Sequence, residues 1–125
     1  MADDLIPADV RDFILRYVDS VAQWEALLLL RGSPEQEWEL SQIAKRLYIT
    51  EKEAAEVLSL LCEDGFLTVK GGRFQYGCAS AEQRNLVDRL AMIYSRHLIP
   101  VTKLIHSKPK GIRQFADAFK FRKDS

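Results

Sequence analysis

His97 and His106 stand nine residues apart, beside Arg96 and Lys108, with no carboxylate or cysteine at the spacing a metal requires of its ligands. They read as solvated or interface histidines, and no metal is expected. Cys62 falls in a helical pattern and Cys78 follows a strand-like run. Neither belongs to a CxxC pair, so both read as small packing residues in a reducing compartment. Gly71-Gly72 lacks the GxGxxG or GxxxxGK surroundings of a phosphate cradle, and no Ser, His and Asp arrangement stands out. The expectation is a protein that is not an enzyme and uses no cofactor. What remains is charge. Glu51, Glu53 and Glu56 crowd the start of one helical pattern, and the last stretch interleaves Phe115, Phe119 and Phe121 with Lys120, Arg122 and Lys123. Such a basic aromatic tail suits an anionic lipid, RNA or an acidic protein groove, or else docks its phenylalanines on an apolar surface of this chain or of a partner subunit.

The charge is unevenly spread. Residues 1–64 carry fourteen acidic and six basic side chains, and residues 65–125 carry four acidic and twelve basic, so a net −8 faces a net +8 and the whole chain sums to zero. Opposite surfaces that match within the molecule or across a dimer account for this, as does a basic tail meant for an anionic partner. With 125 residues, 47% of them hydrophobic, the chain suits one domain with a core and an appended helical segment. No run approaches the ~18 apolar residues of a membrane span, and "MADDLIPADV" lacks the regions of a secretory signal, so a cytoplasmic location is expected.

These side chains must be positioned by elements that the spacing already outlines. Val10, Phe13, Ile14, Tyr17, Val18 and Val21 recur at helical intervals behind Asp9, an expected N-cap. Trp24, Leu27, Leu28 and Leu30 extend the stripe to Arg31, with Asp19-Ser20 as a possible break and Ser20 with Gln23 as a capping box. Gly32 ends that helix. Trp38 and Leu40 read as a short extended segment, after which Ser41 caps a helix that turns Ile43, Ala44 and Leu47 inward. Tyr48-Ile49 makes a turn, and Thr50 with Glu53 opens a helix to about Asp64, closed by Gly65. "FLTVKGGRFQYG" gives two short strands joined by a two-residue turn at Gly71-Gly72. Ser80 with Gln83 caps a long helical region in which Val87, Ala91, Tyr94, Leu98, Val101 and Ile105 follow 4-3-4-3-4 spacing, the seam of a helix packed on another helix. Leu86, Leu90, Ile93 and Leu104 form a neighbouring stripe, so one stripe covers the chain's own core and the other meets a second subunit. Pro100 predicts a kink or restart at Ile99. After residues 107–111, a linker-like stretch, Ile112, Phe115, Ala116 and Phe119 predict a short helix edged by Lys110, Arg113, Lys120, Arg122 and Lys123.

The order of elements, carried by "LSQIAKRLYITEKEAAEVLSLLCEDGFL" and "VKGGRF", resembles a winged helix-turn-helix domain over residues 20–77, and the flanking helices resemble the dimeric bacterial regulators of the MarR type. The resemblance implies a mostly helical fold with a small β-hairpin: an N-terminal helix in 1–19, the winged helix-turn-helix in 20–79, and a long C-terminal helical segment for dimerisation in 80–125. It also implies that the helix from Thr50 enters the major groove of double-stranded DNA and that the hairpin near Lys70 and Arg73 touches the backbone or the minor groove.

At the leading positions of that helix this chain departs from the common Arg, Ser, Thr, Gln or Asn and places Glu51, Lys52, Glu53, Ala55, Glu56 and Ser59. Glu53 serves the cap and Glu51 suits a first helical turn, but Glu56 has neither role. Against these stand Lys45, Arg46, Lys52, Lys70 and Arg73, enough for about three to five phosphate contacts per subunit, with Ala55 and Ser59 as base-edge neighbours. Two functions follow. One is a dimeric transcriptional regulator that binds DNA. The other is a winged helix used as a protein adaptor, with Glu51, Glu56 and an outward Leu60 forming the partner surface.

Overall fold

Short-range polar contacts set where most of the described helices begin. The computed structural model describes residues 5–108, so the short basic helix expected around Phe115 lies outside the described residues. Helix α1 (Ala8–Tyr17) starts directly after Pro7, two residues earlier than an Asp9 cap would place it. Asp9 instead sits inside the first turn, where its carboxylate accepts from the Arg89 guanidinium and from the Val10 amide. Helix α2 (Val21–Arg31) is capped by Ser20, whose hydroxyl accepts from the Gln23 amide at 3.1 Å. The reciprocal arm of the expected capping box is absent, because Gln23 turns inward and spans the α1–α2 corner. Its Nε2 donates to the Tyr17 carbonyl at 2.9 Å, and its Oε1 accepts from the Asp19 amide at 2.8 Å.

After the loop beyond Gly32, strand β1 (Trp38–Glu39) leads into α3 (Leu40–Leu47). Ser41 is not the cap. Glu39 takes that place in a capping box with Gln42, so Leu40 belongs to the helix rather than to the extended segment. Tyr48 adopts the left-handed conformation, φ 58° and ψ 41°, which lets the chain reverse within three residues into α4 (Glu51–Glu63), capped by Thr50 as its sequence predicts. Gly65 closes α4 at φ +86°, and a Cβ there would come within 3.1 Å of the Ala79 side chain. Glycine is therefore required twice over, for the backbone and for the space.

Strands β2 (Leu67–Lys70) and β3 (Arg73–Tyr76) form the expected hairpin, with Gly71 and Gly72 both at positive φ, the requirement of the tight turn that matches strand twist. The sheet has a third strand, in the order β1-β3-β2, all antiparallel, and its register places Trp38 opposite Phe74 and Glu39 opposite Arg73. Leu67, Val69, Phe74 and Tyr76 alternate onto one face, and Thr68, Lys70, Arg73 and Gln75 onto the other.

Helix α5 (Ala81–Arg96) begins at Ser80, whose hydroxyl accepts from the Gln83 amide. The Gln83 side chain reaches the Asp64 carbonyl at 2.7 Å instead of completing a box, and so ties α5 to the end of α4. The chain breaks at His97, two residues before the expected position, and resumes as α6 (Leu98–Ser107). Pro100 thereby falls in the first turn of α6, where its missing N–H has no acceptor to satisfy.

Two helical layers share one core. Val57, Leu58 and Leu61 of α4 pack with Trp24, Leu27 and Leu30 of α2 and with Ile43 of α3, while Val87, Leu90, Val101, Leu104 and Ile105 belong to the same cluster as Val10, Ile14 and Val18 of α1. Phe13, Tyr17 and Phe66 join the layers through ring contacts of 5.5–5.6 Å. Each such side chain, fully buried, contributes about 1.5–3 kcal/mol. The seam assigned to a partner is thus corrected at Val87, Val101 and Ile105, which are buried within this chain because α1 supplies the helix they pack on. Ala91 and Tyr94 are half-buried beside the core, and Leu98 is the seam residue left exposed.

Candidate interaction face

Helix α4 turns Ala54, Val57, Leu58 and Leu61 into the core, which leaves Glu51, Lys52, Glu53, Ala55, Glu56, Ser59 and Glu63 on the outward side. Leu60 is half-buried rather than fully outward. Glu53 is committed locally: its amide donates to Thr50 Oγ1 at 3.0 Å, and that hydroxyl lies 3.2 Å from its carboxylate. Glu51 and Glu56 carry no comparable cap.

Between the outward side of α4 and the inner face of the hairpin lies a cleft of about 360 Å³. Ala55, Ser59 and Cys62, spaced i, i+4, i+7, form one wall; Val69 and Phe74 form the other; Leu40 and Glu63 complete the lining. Val69 is 53% exposed, an unusual position for a valine on the inward side of a strand. The small side chains of α4 leave this gap, since no bulky residue on that stripe reaches the hairpin. Burial pushes the Cys62 thiol above its ordinary range, which disfavours the thiolate. Cys78 is likewise raised by burial and donates to the Tyr76 hydroxyl at 3.3 Å.

The five expected phosphate-contacting cations are all exposed, but they are not equivalent. The Arg46 guanidinium lies 5.6 Å from the centre of the Trp38 ring, a cation–π contact. Arg73 sits between Glu37 and Glu39, at 3.8 and 3.7 Å, a consequence of the register that pairs Glu39 with Arg73. Lys45, Lys52 and Lys70 are exposed on α3, α4 and the hairpin, and of these Lys52 shares its helix with the carboxylates. The structure therefore brings Lys52, Ala55 and Ser59 together on one helix, and places Lys70 and Arg73 on the face of the hairpin turned away from the cleft.

Sequence reasoning missed Cys62, Val69, Phe74 and Leu40 as parts of this face. The signal available was the Ala55-Ser59-Cys62 stripe, three small side chains along the outward side of a helix.

A second hollow, about 650 Å³, lies between α1 and the start of α5. Asp12, Arg16, Glu82 and Gln83 line it with mixed charge. His97 lies half-buried at the α5–α6 break and His106 is exposed on α6. Among the described residues no group of three or more His, Cys, Asp or Glu side chains gathers as a metal site, and no helix is long and apolar enough to cross a membrane. No protein-family model matches this chain, and neither does any curated protein or solved structure.

Proposed function

We propose that this protein is a docking module, in which the side of α4 that a winged helix turns to DNA receives an apolar segment of a polypeptide instead. The observation that carries this reading is the cleft: small and apolar side chains line it together with Glu63, and Glu56, seven residues earlier on α4, shares the helical side of Glu63. A phosphate backbone approaching that side meets carboxylates, and the two arginines best suited to bidentate phosphate contact are engaged with Trp38, Glu37 and Glu39.

A DNA-binding regulator is the second reading, favoured by the exposure of α4 between Lys45, Lys52 and Lys70. A dimer reading two half-sites would then use Met92, Leu98 and Ile99, the exposed apolar side chains around the α5–α6 break. Titration of the full chain with labelled random duplex separates the two readings. Docking expects no binding at ~50 mM salt, whereas binding whose affinity falls with salt at a log–log slope of about −3 or steeper, the value for three freed lysines, overturns it.

A further inference from the structure

The edge of the cleft has a fixed spacing. Glu56 and Glu63 are exposed and seven residues apart on one helix, so they stand about 10.5 Å from each other on nearly the same side. The floor repeats that interval one residue earlier, from Ala55 to Cys62. A helical occupant that fits must carry apolar side chains over two turns and cations seven apart beside them. Residues 109–125 of this chain have that pattern: Ile112, Phe115, Ala116 and Phe119 at helical spacing, with Arg113 and Lys120 seven apart, each following an apolar residue. Five basic and two acidic side chains give the stretch a net +3.

We propose that residues 112–120 of the same molecule occupy the cleft, antiparallel to α4, with Arg113 toward Glu63 and Lys120 toward Glu56. The inference rests on reading this face as a polypeptide-docking surface, and it names the chemistry of the docked segment: a cationic amphipathic helix with aromatic anchors. A partner of the same chemistry must displace the chain's own segment to bind.

Lys108 fixes where that segment begins. Lys108, its side chain 4% exposed, donates to the carbonyls of Ile14 at 3.2 Å and Val18 at 2.9 Å and pairs with Asp19 at 3.1 Å. On the same stretch of α1, the Tyr17 ring meets Phe66, just beyond the end of α4, at 5.5 Å between centroids. The segment therefore sets out from the end of α1, whose Tyr17 ring lies against the residue three beyond Glu63. Residues 109–111 span about 10 Å when extended, and nine helical residues cover ~13.5 Å, slightly more than the floor. The antiparallel sense follows from the charges: each lies one residue after an apolar contact on its own helix, and on two facing helices those sides coincide only when the helices run in opposite directions.

Cys62 lies in the cleft and reports directly on occupancy, with Cys78 as a control in the same chain. The full chain and its Phe115→Ser/Phe119→Ser variant are alkylated with iodoacetamide at one pH, and each cysteine is followed by mass spectrometry. Cys62 is expected to react about tenfold faster in the variant, the ratio for a millimolar effective concentration meeting a ~0.1 mM groove. Cys78 is expected to change less than twofold. Protection in the wild type should be the same from ~1 to ~100 µM protein. A Glu56→Lys/Glu63→Lys variant should also unmask Cys62, and adding Arg113→Glu/Lys120→Glu should restore its protection. Equal Cys62 rates in all variants overturn the proposal, as does protection that grows with protein concentration, which marks a second copy as the occupant. If the phenylalanine variant also exposes Cys78, the charge exchange decides: restored protection supports the proposal and its absence overturns it. Equal rates without duplex binding sink the own-segment inference alone, whereas duplex binding at low salt sinks the docking reading itself.

Discussion

Replacing Glu51, Glu56 and Glu63 by lysine tests whether carboxylates are what keep α4 from a phosphate backbone. Glu53 is retained because it belongs to the Thr50 cap. Three exposed lysines, Lys45, Lys52 and Lys70, already lie on α3, α4 and the hairpin, and the substitutions raise the number to six while leaving one acidic side chain on the outward side. Each phosphate contact adds about −0.9 to the log–log salt slope, so six allow a slope near −5.4, or about three decades of affinity between 50 and 200 mM salt. The fold should tolerate the change. Losing a carboxylate in the first turn costs about 0.3–1 kcal/mol, and exposed substitutions farther along stay within roughly 0.5 kcal/mol. Fluorescence anisotropy with a random duplex should therefore show salt-dependent binding by the variant and none by the wild type. A wild-type slope near −4.5 would refute the reasoning, since all five cations would then be in use and Arg46 and Arg73 would have left Trp38, Glu37 and Glu39. A folded variant that still fails to bind refutes it differently, by showing that shape and not charge excludes the duplex.

Two further outcomes are expected. Gln23→Met should destabilise the protein by about 2–4 kcal/mol, because Gln23 is 1% exposed and its loss strips hydrogen bonds from the Tyr17 carbonyl and the Asp19 amide. Urea unfolding followed by tryptophan fluorescence measures this, and a loss below about 1 kcal/mol would show that the α1–α2 corner is held by packing alone. Tyr94 is pushed up to about 12 by burial and by its 2.6 Å hydrogen bond to Glu25. A raised folded value favours the protonated phenol, so this contribution to stability is complete below the ordinary value of about 10 and is lost as pH rises through about 12. Glu25→Gln should move the phenolate transition of Tyr94, read by ultraviolet absorbance, to lower pH; an unchanged midpoint would assign the whole shift to burial.

The parts of the fold that were legible in sequence are those decided within a few residues. Ser20, Thr50 and Ser80 each accept from the amide three residues on, Gly65 has the left-handed backbone, and Gly71-Gly72 makes the hairpin. Ser41 failed as a cap for an equally local reason, because Glu39 forms a complete box with Gln42 and begins the helix earlier. What sequence could not supply were the partners that arrive from far along the chain. The 4-3-4-3-4 stripe shows that α5 and α6 have an apolar side, but it does not say which surface meets it. Val10, Ile14 and Val18 of α1, roughly eighty residues earlier, bury Val87, Val101 and Ile105 and leave Leu98 exposed.

The same logic governs the candidate site. Arg73 looks free in sequence, yet strand pairing seats Glu39 opposite it. Ala55 and Ser59 are just what a helix lying against base edges would present, since small side chains permit close approach. Once the hairpin sets Val69 and Phe74 across from them, that smallness becomes a cleft with apolar walls. An α4 that pressed its outward side into a DNA groove would need the hairpin to stand beside the duplex with its cations turned toward phosphate. Here Lys70 and Arg73 occupy the opposite strand face from Val69 and Phe74, so the side of the hairpin that looks toward α4 is the apolar one. Docking of an apolar segment between them would use the helix and the strand face together, and would leave the lysines solvated.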